Sequence, residues 1–243
     1  MTSIEAFGLL HLAQDEYSAV NLKVKNFSDQ IKVYLSNASL LNKSLDSQGI
    51  NFTLLTNNKK LLEDVLYGVD HKLNIIEIAF PTKVPSGVPF YSAHFKVDVF
   101  RYISTQNLKY AIFCDLDMVC LKPVPEVFET LISEGIPLVY EVTDQVIPAD
   151  GHSFIIKNLE IINEIKSEGR WVGGEFMAGP SSFFKILTEE IDHVINVKGY
   201  FDLLISGTVT SGGGDEVYTN AAIEKMKRTG VYISEAGLID IVG

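Results

Sequence analysis

The sequence has little of what secreted mini-proteins and membrane proteins depend on. It contains only two cysteines, Cys114 and Cys120, and in an extended strand their Cα atoms would lie roughly 20 Å apart, too far for a disulfide. A reduced, cytoplasmic location is therefore expected. No apolar run approaches the roughly 20 residues of a membrane-spanning helix, and the segment from Met1 to Leu12 lacks the basic head of a signal peptide. Peripheral attachment to a membrane stays open, although no basic anchor is present.

Basic residues are also scarce. Lysine and arginine together number 20 against 31 aspartates and glutamates, so the formal charge is −11. Nucleic acid is not expected to be the main partner of such a protein, because phosphate backbones are bound by clustered positive charge. The same balance implies that a nucleotide diphosphate bound here would need local neutralisation, which a metal ion can supply.

The rest of the composition is that of an ordered globular protein. Hydrophobic residues make up 47% and charged residues 21% of the 243 residues, a length that fits one large domain. In the amino-terminal part, strand-like apolar segments alternate with segments of helical spacing. We predict strands at 6–12, 51–57, 73–80 and 110–114, and helices at 27–45, 59–66 and 91–104. This alternation predicts the α/β class, with a mostly parallel central sheet flanked by helices.

The carboxyl-terminal part is less regular. A helix is predicted at 126–132 and a strand at 137–142, whereas residues 144–170 show no clear pattern. Gly173–Pro180 is predicted to be a turn-rich loop, and a helix follows it through 183–195. A second glycine loop, Gly212–Gly214, precedes a predicted helix from Asp215 to about Lys227.

Asp115 and Asp117 follow the apolar run Tyr110–Cys114, which predicts a central strand buried on both faces. Open α/β sheets bind ligands at the carboxyl ends of their strands, and carboxylates at i and i+2 in extended chain can share one cation. An all-oxygen pair suits Mg²⁺ or Mn²⁺, and no histidine or cysteine cluster suggests zinc. The alternative is a turn in which the aspartates only cap the chain before Pro123. Because buried acidic residues rarely lack a partner, metal binding is favoured.

The helix predicted at 91–104 carries a polar stripe. Offsets of three, seven and ten residues place Tyr91, His94, Asp98 and Arg101 on one face. On a solvated face, Asp98 and Arg101 would form an ordinary i, i+3 ion pair that contributes only a few tenths of a kcal/mol. The metal motif nearby favours a functional stripe, and His94 is the histidine we single out on it.

The segments Phe95–Tyr102 and Tyr110–Pro123 together resemble the donor site of GT-A fold glycosyltransferases. They are similar to the glycogenin and lipopolysaccharide galactosyltransferase group, and to the mannosyltransferase-like group whose helix carries Asp-x-x-Arg-Tyr. The resemblance implies a single GT-A, Rossmann-like domain over 1–243, with a nucleotide-sugar-binding half at 1–123 and an acceptor-side half at 124–243. It implies that Asp115 and Asp117 hold Mn²⁺ or Mg²⁺ against the donor diphosphate. The residues implied to lie at the donor are Asp98, Arg101, Asp115, Leu116 and His94.

A looser likeness extends to two later segments. Gly173–Gly179 is similar to an acceptor-side strand and loop of these enzymes, and Gly214–Tyr218 to an acidic segment that opens a helix beside the transferred sugar. The candidate catalytic carboxylates implied are Glu216, which we prefer, Asp215 and Glu175. On the acceptor side the candidates are Gly173, Gly174 and Trp171. The alternatives are a helix N-cap for Asp215 and a core or loop anchor, rather than a sugar-stacking platform, for Trp171.

One feature departs from the lipopolysaccharide galactosyltransferase group. That group takes a third metal ligand from a histidine in a carboxyl-terminal segment, whereas the last histidine here is His193. Either the two aspartates and water suffice, or the tail is shortened.

The sequence therefore predicts a metal-dependent glycosyltransferase. The donor expected is a UDP-hexose, UDP-galactose or UDP-glucose, the acceptor is a saccharide or glycoconjugate, and the transfer is expected to retain configuration. A phosphatase of the haloacid dehalogenase type is one alternative, because Phe113–Val119 also resembles its Asp-x-Asp-x-Val strand, although that family normally begins near this strand. A non-catalytic nucleotide-sugar-binding protein is another. No oligomeric state is indicated.

Overall fold

The computed structural model describes residues 4–13, 26–69, 71–150, 152–210 and 214–236. In them, helices surround one seven-stranded sheet. The strands are β1 (Ile4–Leu10), β2 (Asn51–Thr56), β3 (Asn74–Glu77), β4 (Tyr110–Cys114), β5 (Leu138–Glu141), β6 (Val172–Gly179) and β7 (Ser234–Ala236). The helices are α1 (Phe27–Asp46), α2 (Lys59–Leu66), α3 (Lys96–Thr105), α4 (Glu126–Glu134), α5 (Thr143–Asp150), α6 (His152–Asn163), α7 (Ser181–Asp192), α8 (Tyr200–Ile205) and α9 (Glu216–Arg228). A 3-10 turn at Tyr91–Phe95 leads into α3, and a π-helical turn at His193–Val197 follows α7.

The strand order in the sheet is β3-β2-β1-β4-β6-β5-β7. The first four strands along the chain run parallel, and β5 pairs with β7 in parallel. Only β6, among the described strands, is reversed, and it pairs antiparallel with β4 and β5. The prediction of an α/β chain with a mostly parallel sheet flanked by helices is confirmed. Because parallel strands end at one edge, the segments after β1, β2 and β4 meet there.

The apolar side chains form two cores on opposite faces of the sheet. Along β4, Ala111 and Phe113 belong to one core, and Tyr110, Ile112 and Cys114 belong to the other. This strand is therefore buried on both faces, as its continuous apolar run predicts. Helices α1, α2 and α4 cover one core, and α3, α6, α7 and α9 cover the other.

Local sequence signals explain the best-predicted elements. Helix α1 begins after Asn26, whose side chain accepts the Asp29 N–H, and its buried positions recur at helical spacing. The bounds of β4 and α2 agree with the prediction, and the ends of the other predicted elements differ by a few residues. None of the helices in the described part of the chain is long and apolar enough to cross a membrane.

The prediction of a loop at Gly173–Pro180 is wrong, because Val172–Gly179 forms β6. Glycines weaken a strand, but β6 has hydrogen-bonded neighbours on both edges, and this pairing outweighs the weak strand preference of glycine. The stretch that showed no clear pattern contains α5 and α6. Gly212 and Gly213, from the second predicted glycine loop, lie outside the described residues.

Gly8 in β1 positions the turn after β4 by leaving room for Leu116. A Cβ atom at Gly8 would lie 2.6 Å from Leu116 Cδ2 and 3.0 Å from Phe52 Cζ. We expect Gly8→Ala to lower the free energy of unfolding by about 1–3 kcal/mol, because overpacking forces side chains from their preferred rotamers. Urea unfolding measures this. In a double-mutant cycle, Leu116→Val removes the obstructing methyl group and should recover part of the loss, whereas strictly additive effects would contradict the proposed contact.

Candidate active site

Asp115 and Asp117 lie at the carboxyl end of β4, the strand between β1 and β6. The Asp115 N–H donates to the Glu175 carbonyl oxygen at 2.8 Å, and the Met118 N–H closes a turn onto the Asp115 carbonyl oxygen at 3.3 Å. The Asp115 side chain is 31% exposed, and Asp117 is exposed. Both carboxylates are therefore accessible to a ligand at this edge of the sheet.

Lys96, the first residue of α3, contacts Asp115, and sequence reasoning missed it. Its ammonium lies 3.1 Å from Asp115 Oδ1 and donates to Asp115 Oδ2 at 3.2 Å and to the Gly174 carbonyl oxygen at 3.0 Å. The same ammonium lies 3.6 Å from Asp215 Oδ2. The one sequence signal for this residue was its position between Phe95 and Val97, both of which are buried. A lysine with apolar neighbours on a core-facing helix needs an acidic partner.

Asp215 stands at the N-cap position of α9, but its side chain makes no capping hydrogen bond. It is buried and faces Lys96 instead. Burial raises the pKa of Asp215 and of Asp115, and the Lys96 charge opposes that rise in both. Burial by itself would lower the pKa of the Lys96 ammonium, but Asp115 and Asp215 outweigh it and raise that pKa above its usual value. Lys96 is therefore a fixed positive charge shared by two carboxylates.

Glu216, the first residue of α9, is held by two donors from the region of β6. The Trp171 indole Nε1–H donates to Glu216 Oε2 at 2.6 Å, and the Gly174 N–H donates to Glu216 Oε1 at 3.0 Å. Burial, followed by the negative charge of Asp215, raises the pKa of Glu216 to about 7, while the two hydrogen bonds lower it. The carboxyl group therefore changes charge near neutral pH, which suits a general base or a charge stabiliser.

Gly174 has no room for a side chain. A Cβ atom there would lie 3.1 Å from Lys96 Nζ and 3.2 Å from Glu216 Cγ, so this glycine lets the backbone approach both residues. A Cβ atom at Gly173 would meet the Glu175 carboxylate instead. Glu175 Oε2 is buried and has no hydrogen-bond partner among the described residues, although its charge raises the pKa of Asp215 and Glu216. The structure thus brings Asp115, Glu175, Asp215 and Glu216 together.

Asp98 and Arg101 are not arranged as the sequence predicts. The Asp98 side chain has no exposed surface and accepts the Thr82 hydroxyl at 2.8 Å. Arg101 donates to Asp98 and, at 2.8 and 3.0 Å, to the two carboxylate oxygens of Asp192 in α7. Because Asp98 is enclosed, direct contact with a donor is not supported; the pair ties α3 to α7 and to the loop after β3.

His94 is also enclosed. It has no exposed surface, its Nε2 lies 3.1 Å from the Pro89 carbonyl oxygen, and its ring packs among those of Tyr200, Phe201 and Tyr218. Burial lowers the pKa of His94 to about 4, so the ring is neutral. The predicted donor contact is therefore not supported, and His94 packs the 3-10 turn before α3 against α8 and α9.

Two more predicted site residues are buried. Trp171 is 3% exposed, which agrees with a core anchor rather than a sugar-stacking platform, and its indole N–H donates to Glu216. Leu116, predicted to lie at the donor, is 6% exposed and belongs to the core under β1 and β4. Its side chain anchors the turn that carries the two aspartates.

A small hollow lies at the end of β1. Tyr34 of α1 is among its lining residues, and after burial the charges of Asp117 and Asp115 contribute to raising the Tyr34 pKa. His11 lines the same hollow and stacks on Phe95 with ring centroids 3.8 Å apart. The two aspartates therefore act on the Tyr34 ring, although neither of them lines the hollow.

The oxygen ligands at Asp115 and Asp117 fit a magnesium or manganese ion that is shared with phosphate oxygens. Both carboxylates are accessible, and such ions usually take one or two carboxylates together with substrate phosphates and water. Within the described residues, no group of three or more histidine, cysteine, aspartate or glutamate side chains is arranged to hold a metal.

In comparisons with known proteins, no protein-family model matches the chain and no curated protein matches it. The functional interpretation of the site therefore depends on its residues and their geometry.

Proposed function

We propose that this protein is a metal-dependent glycosyltransferase of the GT-A fold that moves a hexose from a nucleotide diphosphate sugar to a saccharide or glycoconjugate acceptor. The proposed donor is UDP-galactose or UDP-glucose, and the proposed transfer retains configuration. The observation that carries the proposal is the ion cluster in which Lys96 joins Asp115, at the end of β4, to Asp215, at the start of α9. The cluster supports the proposal because it joins one proposed metal ligand, Asp115, to one proposed catalytic carboxylate, Asp215.

The donor diphosphate would bind at Asp115 and Asp117. These carboxylates would hold Mn²⁺ or Mg²⁺, which supplies positive charge to neutralise the departing diphosphate. Lys96 adds a positive charge that the chain itself provides, next to Asp115. Because Asp115 and Asp215 already neutralise this charge, the metal ion would supply the excess positive charge that a phosphate-bearing donor needs. We place the nucleoside on the side of the aspartates that faces Tyr34, because their charges act on this aromatic ring.

The transferred sugar would lie near Asp115 and Glu216, which Lys96 and Gly174 connect through hydrogen bonds. Both oxygens of the Glu216 carboxylate accept hydrogen bonds from the protein, which fixes the direction of its charge. A fixed carboxylate can stabilise the positive charge that develops on a sugar ring when the bond to the diphosphate breaks. Burial, followed by the charges of Asp215 and Glu175, raises the pKa of Glu216 to about 7, so this carboxylate can accept a proton near neutral pH.

The proposal predicts release of the nucleotide diphosphate from one donor when the protein is incubated with Mn²⁺ and a panel of nucleotide sugars. Glu216→Gln, which keeps the side-chain shape, should reduce that release about 100-fold or more, because a preorganised charge is removed. Asp64→Asn is the matched control, since Asp64 is an exposed carboxylate in α2. Phosphate release from simple esters would support the phosphatase, and donor binding without turnover in the presence of acceptors would support a binding protein.

A further inference from the structure

Trp171 is the only tryptophan of the chain and is buried at the start of β6. Its backbone is fixed from both sides, because its N–H donates to the Thr143 hydroxyl at 2.8 Å and its carbonyl oxygen accepts the Val142 N–H at 2.9 Å. A buried indole N–H requires an acceptor, and here the acceptor is Glu216 Oε2 at 2.6 Å. The ring belongs to the core formed with α6, α7 and α9, so it cannot turn away without losing that packing.

The start of α9 is held against β6 by further contacts. Asn220 accepts the Val172 N–H at 2.7 Å and donates to the carbonyl oxygens of Val172 at 2.8 Å and Glu216 at 2.9 Å. The backbone of Glu216 is therefore in a set position relative to Trp171. Because the Gly174 N–H holds the other carboxylate oxygen at 3.0 Å, the side chain has little freedom left.

We propose that Trp171 is a positioning residue for Glu216, and that its indole N–H fixes the direction in which the Glu216 carboxylate faces the substrate. What Glu216 does during sugar transfer rests on the proposed function. The effect of Trp171 on the carboxylate does not, because it follows from the hydrogen bond alone. A donor on a carboxylate stabilises its charged form, so Trp171 also helps to set the pH at which Glu216 loses its proton.

Several charged groups face Glu216 and must be considered in any pH measurement. Asp215 precedes it in α9, Glu175 approaches it from β6, and Lys96 approaches from α3 near Gly174. Burial is the largest cause of the raised Glu216 pKa, and the charges of Asp215 and Glu175 raise it further. The hydrogen bonds from Trp171 and Gly174 lower it. Loss of the indole N–H therefore moves the ionisation of Glu216 to higher pH.

The fluorescence of the single tryptophan tests the contact without any substrate. We expect the emission of the wild-type protein to change sigmoidally between about pH 5 and about pH 9, with its midpoint near the Glu216 pKa of about 7. Variants of Glu216 test the origin of this transition. Glu216→Gln should abolish it.

Asp144→Asn, which alters an exposed carboxylate next to Thr143, is the control and should leave the transition unchanged. Glu216→Asp, which retracts the carboxylate by one methylene, should weaken it and is the second variant if Glu216→Gln does not fold. The proposal is overturned if the fluorescence transition persists in both Glu216 variants. It is also overturned if the wild-type protein shows no transition.

An isosteric replacement tests the consequence for activity. Because the chain has one tryptophan, growth on benzothienylalanine replaces the N–H by sulfur at position 171 only, and Trp171→Phe is the encoded counterpart. We expect the acid limb of the kcat profile to move up by about one pH unit in both, with KM for the donor little changed. The proposal that Trp171 positions Glu216 is overturned if kcat falls equally at every pH. It is also overturned if the acid limb of the kcat profile does not move. Absence of transfer by the wild type overturns the proposed function alone, since the fluorescence test still applies.

Discussion

Asp115→Asn is expected to lower metal-dependent nucleotide diphosphate release at least about 100-fold, the usual scale for loss of a preorganised charge at a reacting phosphate. The substitution keeps the side-chain volume but removes the negative charge that faces both the proposed metal and Lys96. Release is measured with the active donor over a series of Mn²⁺ concentrations. Asp64→Asn is the control, because it removes an equivalent charge from an exposed position in α2.

A binding measurement separates the metal role of Asp115 from a general loss of activity. Calorimetric titration with UDP in the presence and absence of Mn²⁺ should show that Mn²⁺ strengthens binding to the wild-type protein. The same enhancement should be absent in Asp115→Asn, because the ion would have lost one of its two protein ligands. If the variant retains the full Mn²⁺ enhancement, Asp115 is not a metal ligand.

Lys96→Met is expected to lower the free energy of unfolding by about 3–5 kcal/mol, the cost of breaking a buried ion pair by removing one partner. Methionine fills a similar volume, but Asp215 then loses its cation and the Gly174 carbonyl oxygen loses a donor. Chemical unfolding measures this difference.

Lys59→Met is the matched control for that substitution. Lys59 pairs with Glu63 on the surface of α2, where both side chains are largely exposed, so the expected change is below about 1 kcal/mol. A Lys96→Met protein as stable as this control would show that the ion cluster does not stabilise the fold. The activity of Lys96→Met would then report only on the proposed contact between Lys96 and the donor diphosphate.

The sequence predicted the parts of this structure that depend on neighbouring residues. The unbroken apolar run Tyr110–Cys114 is a central strand, and Lys59–Leu66 is a helix with the predicted ends. Asp115 and Asp117 follow β4 at the edge where parallel strands end, as the order of strands and helices required. These features follow from periodicity and chain direction, which are visible in a single sequence.

The side chains of α3 were harder to predict for a geometric reason. The predicted polar stripe assumed one α-helix from Tyr91, but residues 91–95 form a 3-10 turn. Each residue of a 3-10 turn rotates the chain by about 120° instead of about 100°, so the faces before and after Lys96 are out of phase with the prediction. In the structure Lys96 faces Asp115 and Asp215, His94 packs among aromatic rings of α8 and α9, and Asp98 is enclosed by Thr82 and Arg101.

Contacts between distant segments account for what else was missed. Two of these contacts depend on how α9 and α3 pack beside β6: the hydrogen bond from Trp171 to Glu216 and the ion pair between Lys96 and Asp215. Neither the spacing nor the composition of the sequence indicates how these elements pack. The glycines of β6 were interpreted as turn residues, although Gly174 allows Lys96 and Glu216 to approach the backbone and Gly179 allows Phe183 to do so.

The reversed direction of β6 determines which of its flanking segments can influence the site. Because β6 is antiparallel to β4, its beginning lies beside Asp115, where the Asp115 N–H meets the Glu175 carbonyl oxygen. Its end lies at the other edge of the sheet, where Ser181 bonds to Leu108. Trp171, directly before β6, therefore adjoins the carboxylates, whereas Ser181, directly after it, adjoins the start of β4. A substitution at Trp171 would consequently act on the site by direct contact, and one at Ser181 only through the fold.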